Sequence, residues 1–280
     1  MSSLRLAYGT NGLTDLRLGD LVVMLSDLGY DGVALTLDHM HFDPLAPGLA
    51  FRTRQLADTL DRYGLGVTVE TGARYLLDPR RKHHPTLVEA DPLARATRVA
   101  LLETAVQIAS DLGAHAVHCF SGVLPEGSTE EEGWKRLRHS FEQILESARR
   151  RGTPLAVEPE PGHLLGDLAG FHRLREELGD PAELGLTLDI GHCQCLEPLA
   201  PEVCVEQSAP WLRHVQIEDM RRGVHEHLPF GQGEIDFSPV LTALADAGYR
   251  GLVSVELPRD SHAGPALAEQ SLHFLKAAQR

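Results

Sequence analysis

A chain of 280 residues, 42% hydrophobic and 24% charged, carries enough apolar mass for one large α/β domain or two smaller ones. Its formal net charge of −14 argues against nucleic acid as a partner, because phosphate contacts need clustered Lys and Arg. No run of apolar residues reaches membrane-spanning length, and the N-terminal MSSLRLAYGTNG lacks the apolar core of a secretory signal.

Taken in chain order, short β-rich runs alternate with longer amphipathic stretches. A strand is predicted over 4–10, a helix over 18–30, a strand over 32–37, a helix near 50–63 and a strand over 66–71. A basic loop with Arg80, Arg81 and Lys82 then leads to a long helix that Asp91 caps and Gly113 stops. AHAVHCF at 114–120 supplies a fourth strand, and 129–150 reads as a charged amphipathic helix. Its terminal Arg149, Arg150 and Arg151 suit the negative end of the helix dipole. PLAVEPE, LGLTLDI, LRHVQIED and GLVSVEL add four strands, and a last helix runs to Gln279. Strands alternating with helices imply a parallel sheet, and eight such units match a closed (β/α)8 TIM barrel. An open doubly wound sheet would carry a Gly-rich phosphate loop early, and LAYGTNGLTD matches that pattern poorly. The Pro- and Gly-rich pieces at 43–48 and 122–128 are loop-sized, so 1–280 is expected to form a single domain. Cys119, Cys193, Cys195 and Cys204 make neither a disulfide framework nor a zinc knuckle, and with no export signal the expected location is cytoplasmic.

The last four predicted strands each end on a carboxylate or amide: Glu158, Asp189, Gln216 and Glu256. In a parallel barrel these side chains converge at the C-terminal rim, where barrel enzymes place their active sites. Any one of them could cap the next helix, Asp189 before Gly-His above all. Four caps at equivalent points on consecutive strands need another cause. Three anionic oxygens and one amide oxygen brought together repel one another unless a divalent cation holds them.

The segment RHVQIEDMRRGVHEHLPFGQGEIDF, residues 213–237, resembles the H-V-Q-I-x-D…G-x-G-E-I stretch of hydroxypyruvate isomerases. More broadly the chain resembles the xylose-isomerase-like barrel superfamily of sugar isomerases and epimerases, which also includes endonuclease IV. The resemblance implies that Glu158, Asp189, Gln216 and Glu256 bind one divalent metal. Gln216 replaces a His common in sugar epimerases, which favours Mn²⁺ or Mg²⁺, with Zn²⁺ or Co²⁺ as alternatives. Glu158 and Glu256 are then the candidate acid/base pair, working on a 2-keto or 2-hydroxy substrate through an enediolate.

His192 lies in a D-x-x-H motif that the resemblance associates with a substrate oxygen, or with an additional zinc in the endonucleases. His225 and His227 resemble positions that bind metal there and shape the pocket in the isomerases; for His225 a surface role is an equal alternative. Glu70 and His118, at the ends of strands three and four, are expected to line the pocket, although His118 could equally be a satisfied core residue. His214 is expected one layer below Gln216 on the same strand face. The leading reading is a metal-dependent isomerase or epimerase of a sugar, sugar phosphate, inosose or small hydroxy-keto acid. A metallohydrolase or phosphodiesterase of the endonuclease IV type, a lyase or dehydratase, and a catalytically dead scaffold are the rivals. The expected partner is a small sugar-like molecule, with no membrane role and with homo-oligomerisation left open.

Overall fold

The computed structural model describes residues 4–279. Eight parallel strands close into a barrel: β1 (Arg5–Gly9), β2 (Gly32–Thr36), β3 (Gly66–Glu70), β4 (Val117–Phe120), β5 (Leu155–Glu158), β6 (Leu184–Asp189), β7 (Leu212–Ile217) and β10 (Leu252–Val255). Around the ring they follow chain order, with β10 pairing β7 on one side and β1 on the other. Between β7 and β10 the chain forms an antiparallel hairpin, β8 (Asp219–Arg221) and β9 (Val224–Leu228), which the alternation pattern had not indicated.

The outer layer is made by α1 (Leu18–Leu28), α2 (Leu49–Tyr63), α3 (Pro92–Leu112), α4 (Glu130–Arg151), α5 (Leu168–Glu177), α6 (Ile190–Leu196), α7 (Pro201–Ser208), α8 (Phe237–Asp246) and α9 (Gly264–Ala278). Local chemistry fixes their ends. The Asp91 carboxylate accepts from Leu93 N at the start of α3, and Gly113 stops that helix in the left-handed region at φ 63°. Thr129 and Glu132 form a reciprocal capping box on α4, whose last turn carries Arg149, Arg150 and Arg151. Among the described residues no helix is long and apolar enough to cross a membrane.

Period-two alternation sorts the strand residues into two layers. Leu6 and Tyr8, Val33 and Leu35, Val67 and Val69, Val157, Leu186 and Leu188, Val215 and Ile217, and Val253 and Val255 belong to the apolar layer between barrel and helices. The alternate positions face the barrel interior, and towards the C-terminal rim they are polar: Thr36, Glu70, His118, Glu158, Asp189 and Gln216. Registers place Thr36 beside Glu70, Glu70 beside His118, and Asp189 beside Gln216. The apolar layer closes the barrel, and the alternation that builds it sends a ring of polar groups to one end.

Candidate active site

A cavity of about 460 Å³ opens at the C-terminal rim, a size suited to a small ligand. Glu158 and Glu256 line it, together with Asn11, Glu70, His118, Glu160, His225 and His227. Asp189, Gln216 and His192 are buried below this lining. All nine residues singled out in the sequence therefore gather at one end of the barrel.

Each carboxylate is held differently. Glu158, the last residue of β5, accepts from His118 Nε2 at 2.6 Å through one oxygen and lies 3.3 Å from His192 Nδ1 through the other. Glu256 follows β10 directly and accepts from Asn11 Nδ2 at 2.8 Å. Asp189 ends β6 and does what a cap does: its Oδ1 accepts from His192 N at 2.7 Å, starting α6. Its Oδ2, however, is buried with no hydrogen-bond donor. The cap therefore occupies one oxygen of Asp189 and leaves the other without a protein partner.

Gln216 shows how a second layer orients a buried side chain. Its Nε2 donates to Glu70 Oε1 at 3.2 Å, which leaves the buried Oε1 without a partner. Glu70 is in turn fixed by Thr36 Oγ1 at 3.1 Å and His214 Nε2 at 3.3 Å. Glu70 lines the cavity, but its oxygens are engaged by protein donors, so it orients neighbours. His214 lies fully buried beneath, as alternation requires.

Two acids were not singled out from the sequence. Glu218 is fully buried, and neither of its oxygens has a hydrogen-bond partner; His227 Nδ1 is 3.5 Å away. It stands two residues after Gln216, as Glu160 stands two after Glu158, so a period-two reading past each strand end was the available signal. Gly191 in the D-I-G-H turn makes room for it, since a Cβ there would come within 2.0 Å of Glu218 Oε1. The third residue missed is Asn11, whose partner is 245 positions away in the chain.

Ligand atoms of Asp189, Glu218, His227 and Glu256 all lie within 4.8 Å of one another, and Glu158 groups in the same way with Glu160 and His192. Burial raises Glu158 and Glu218 well above the usual carboxylate range, and their carboxylate neighbours raise them further. Burial likewise pushes Glu256 up to about 7. Burial would raise Asp189 as well, but the imidazoles of His192 and His227 and its hydrogen bonds together hold it low. Concentrated negative charge and unpartnered buried oxygens at Asp189, Gln216 and Glu218 fit a hard divalent cation.

The histidines form their own cluster. His192 Nδ1 donates to Pro159 O at 3.3 Å, which turns the Nε2 of the neutral ring towards His225 Nε2, 3.1 Å away. Burial depresses His192 to about 4, so this ring is neutral. His225 and His227 share one face of β9; both pack edge-on against His192, and their own rings meet at a tilt. The side chain of His225 is 32% exposed, so it belongs to the cavity wall and to the surface at once. Asp219 ties this region down: its carboxylate accepts from Gly231 N, Gly233 N and Ile235 N, which explains the G-x-G-E-I spacing structurally.

Comparison with known proteins agrees with this architecture. L-ribulose-5-phosphate 3-epimerase UlaE from Shigella flexneri serotype 5b (strain 8401) is 26% identical over 245 residues, covering 85% of this chain and 81% of its own. UlaE from Escherichia coli (strain K12) matches over the same extent at the same identity. Among solved structures, L-ribulose 3-epimerase superposes with a TM-score of 0.78 at 21% identity, covering 99% of this chain and 96% of that one. A D-tagatose 3-epimerase-like protein gives 0.77 at 21% identity, covering 98% and 99%. The family described as xylose isomerase-like TIM barrel matches residues 22–278, and the chain belongs to that family.

Proposed function

We propose that this protein is a divalent-metal-dependent sugar isomerase or epimerase, with epimerisation of a ketose beside its carbonyl as the leading case. The observation that carries this reading is the pair Glu158 and Glu256. Glu158 is buried and Glu256 half-buried, both line one cavity, they come from strands three steps apart around the ring, and each has its own orienting donor. Epimerisation needs two such groups, one to take a proton from one face of a carbon and one to return a proton on the other. The 26% identical curated relatives are epimerases of a ketose phosphate, which supports the same choice.

Asp189, Gln216, Glu256 and Glu158 would hold the cation, and Glu218 and His227, whose ligand atoms lie within 4.8 Å of those of Asp189 and Glu256, could join them. A bound divalent ion supplies Lewis-acid polarisation of the substrate carbonyl and so acidifies the neighbouring C–H. The protein residues do the rest. One of Glu158 and Glu256 removes the proton, and the other, protonated, delivers one to the resulting enediolate. The raised proton affinity of Glu256, near neutrality, suits a group that must exist in both forms. His118 and Asn11 keep the two carboxylates pointed at the cavity, and the wall of Phe120, flanked by His83 and His163, offers apolar surface for sugar C–H groups.

The trio His192, His225 and His227 favours one second reading, a multi-metal phosphodiesterase, because imidazole nitrogens suit zinc. Two measurements separate the readings. Protein loaded with Mn²⁺ should interconvert C3 epimers of ketoses such as L-ribulose, D-tagatose or their phosphates. Hydrolysis of a phosphodiester without any ketose turnover, at two or more metal ions per chain, would replace the epimerase reading with the hydrolase.

A further inference from the structure

Opposite the acidic floor, one side of the cavity mouth is basic. Arg74 and Lys82 reach it from the segment between β3 and α3, and Arg259 from the segment after β10. In a chain of net charge −14, three cations on one lip of one pocket form a local reversal of sign. Arg74 is fixed in place: its Nη2 donates to Asn11 O at 3.3 Å and Pro258 O at 3.1 Å, both carbonyls, so no carboxylate neutralises it. Among the described residues, neither Lys82 nor Arg259 makes a hydrogen bond or an ion pair.

The backbone carrying these groups is constrained. Ala73, beside Arg74, has φ 50°, and His83, beside Lys82, has φ 67°; a side chain rarely adopts either. The loop is closed on itself by His83, whose N donates to Arg74 O and whose ring Nδ1 donates to Gly72 O at 2.6 Å. Positive-φ residues persist where surrounding contacts enforce them, often at ligand clamps. Lys82 is exposed, but partial desolvation against the cavity lowers its proton affinity, and the nearby charges of Arg74 and Arg259 lower it further, while the carboxylates of Glu160 and Glu256 oppose the shift. Lys82 therefore senses both arginines, and an anion between the three groups would relieve that repulsion.

We propose that Arg74, Lys82 and Arg259 form a subsite for a phosphoryl group on the substrate, at the end of the sugar remote from the reacting carbon. This rests on the sugar epimerase reading and narrows it to a ketose phosphate. Three cationic donors from two loops match a dianion with three acceptor oxygens better than a carboxylate, which one guanidinium fork satisfies. Arg74 also links this subsite to the reacting end, since Asn11, whose carbonyl it holds, donates to Glu256.

The test uses Mn²⁺-loaded full-length protein and the variants Arg74→Met, Lys82→Met and Arg259→Met. One arm measures kcat/KM for the matched pair L-ribulose 5-phosphate and L-ribulose, with a ketouronate as the carboxylate comparison. The expected result is a preference for the phosphorylated sugar that falls about tenfold to a hundredfold in each variant, mainly through KM, since charge-assisted hydrogen bonds carry that much binding. A structural defect would lower both sugars equally and leave the ratio unchanged, which overturns the proposal. So does a wild-type preference for the free sugar or for the ketouronate. The second arm measures binding of inorganic phosphate by titration calorimetry and needs no turnover. If no ketose reacts, the epimerase reading fails, while phosphate binding that weakens in the variants still supports the anion subsite. Absent phosphate binding, or binding that survives all three substitutions, refutes it.

Discussion

The two halves of the barrel contribute different things to one cavity. Strands β5, β6, β7 and β10 end in the groups with free or acidic oxygens: Glu158, Asp189, Gln216 and, just after β10, Glu256. Strands β1 to β4 and their loops end in groups that hold those oxygens or carry positive charge: Asn11, Thr36, Glu70, His118, Arg74 and Lys82. One half offers the candidate ligand oxygens, and the other half orients them. A buried donor or carboxylate behind a ligand sets its rotamer and basicity, as outer-shell partners do at metal sites generally.

That division makes graded predictions. Removing the cation touches the function of the whole second half, so prolonged chelation should abolish ketose turnover, and added Mn²⁺ should restore it; activity that persists in metal-free protein would break the scheme. Next in size is Asp189→Asn. The amide oxygen can still accept from His192 N and cap α6, so thermal stability should move little. The charge on the unpartnered Oδ2 is lost, so Mn²⁺ affinity should fall on the order of a hundredfold or more, as read by metal titration. Glu70→Gln alters only the orienting layer. It weakens the hold on the Gln216 amide, and Mn²⁺ affinity should fall about tenfold to a hundredfold. If it costs as much as Asp189→Asn, Glu70 is a ligand itself and the division fails. The smallest effect belongs to Asn11→Ala, which frees Glu256 from one hydrogen bond. Here kcat should fall about tenfold with metal content unchanged, since one hydrogen bond to a charged group is worth roughly 1.5–3 kcal/mol at most.

The same division separates what the sequence made legible from what it did not. Each second-half group sits at the end of its own apolar run, so local pattern alone placed Glu158, Asp189, Gln216 and Glu256 on one rim. The eight strands followed from the same alternation, the bounds at Asp91 and Gly113 from capping chemistry, and the 129–150 helix from its amphipathic pattern. First-half roles depend on pairings that no local pattern encodes. Glu70 reaches Gln216 across 146 positions, and Asn11 reaches Glu256 across 245. Glu218 was missed for a different reason: it lies inside the predicted run LRHVQIED, but the alternation was followed only as far as Gln216, and burial continues through Glu218 past the end of β7. The β8–β9 hairpin was hidden because RRG supplies the turn while the flanking residues are too polar to read as strands. It brings His225 and His227 back over the site.

Proton transfer by Glu158 and Glu256 at a sugar carbon, beyond any part they play as ligands, is the step on which the proposed function rests. It is tested most directly by solvent deuterium exchange into a ketose substrate, comparing wild type with Glu158→Gln and Glu256→Gln at matched metal occupancy. Each substitution keeps an oxygen donor and removes the proton acceptor. The account predicts exchange slowed by about 10²–10⁴-fold in both variants while Mn²⁺ remains bound. Exchange at the wild-type rate in either metal-loaded variant would contradict it.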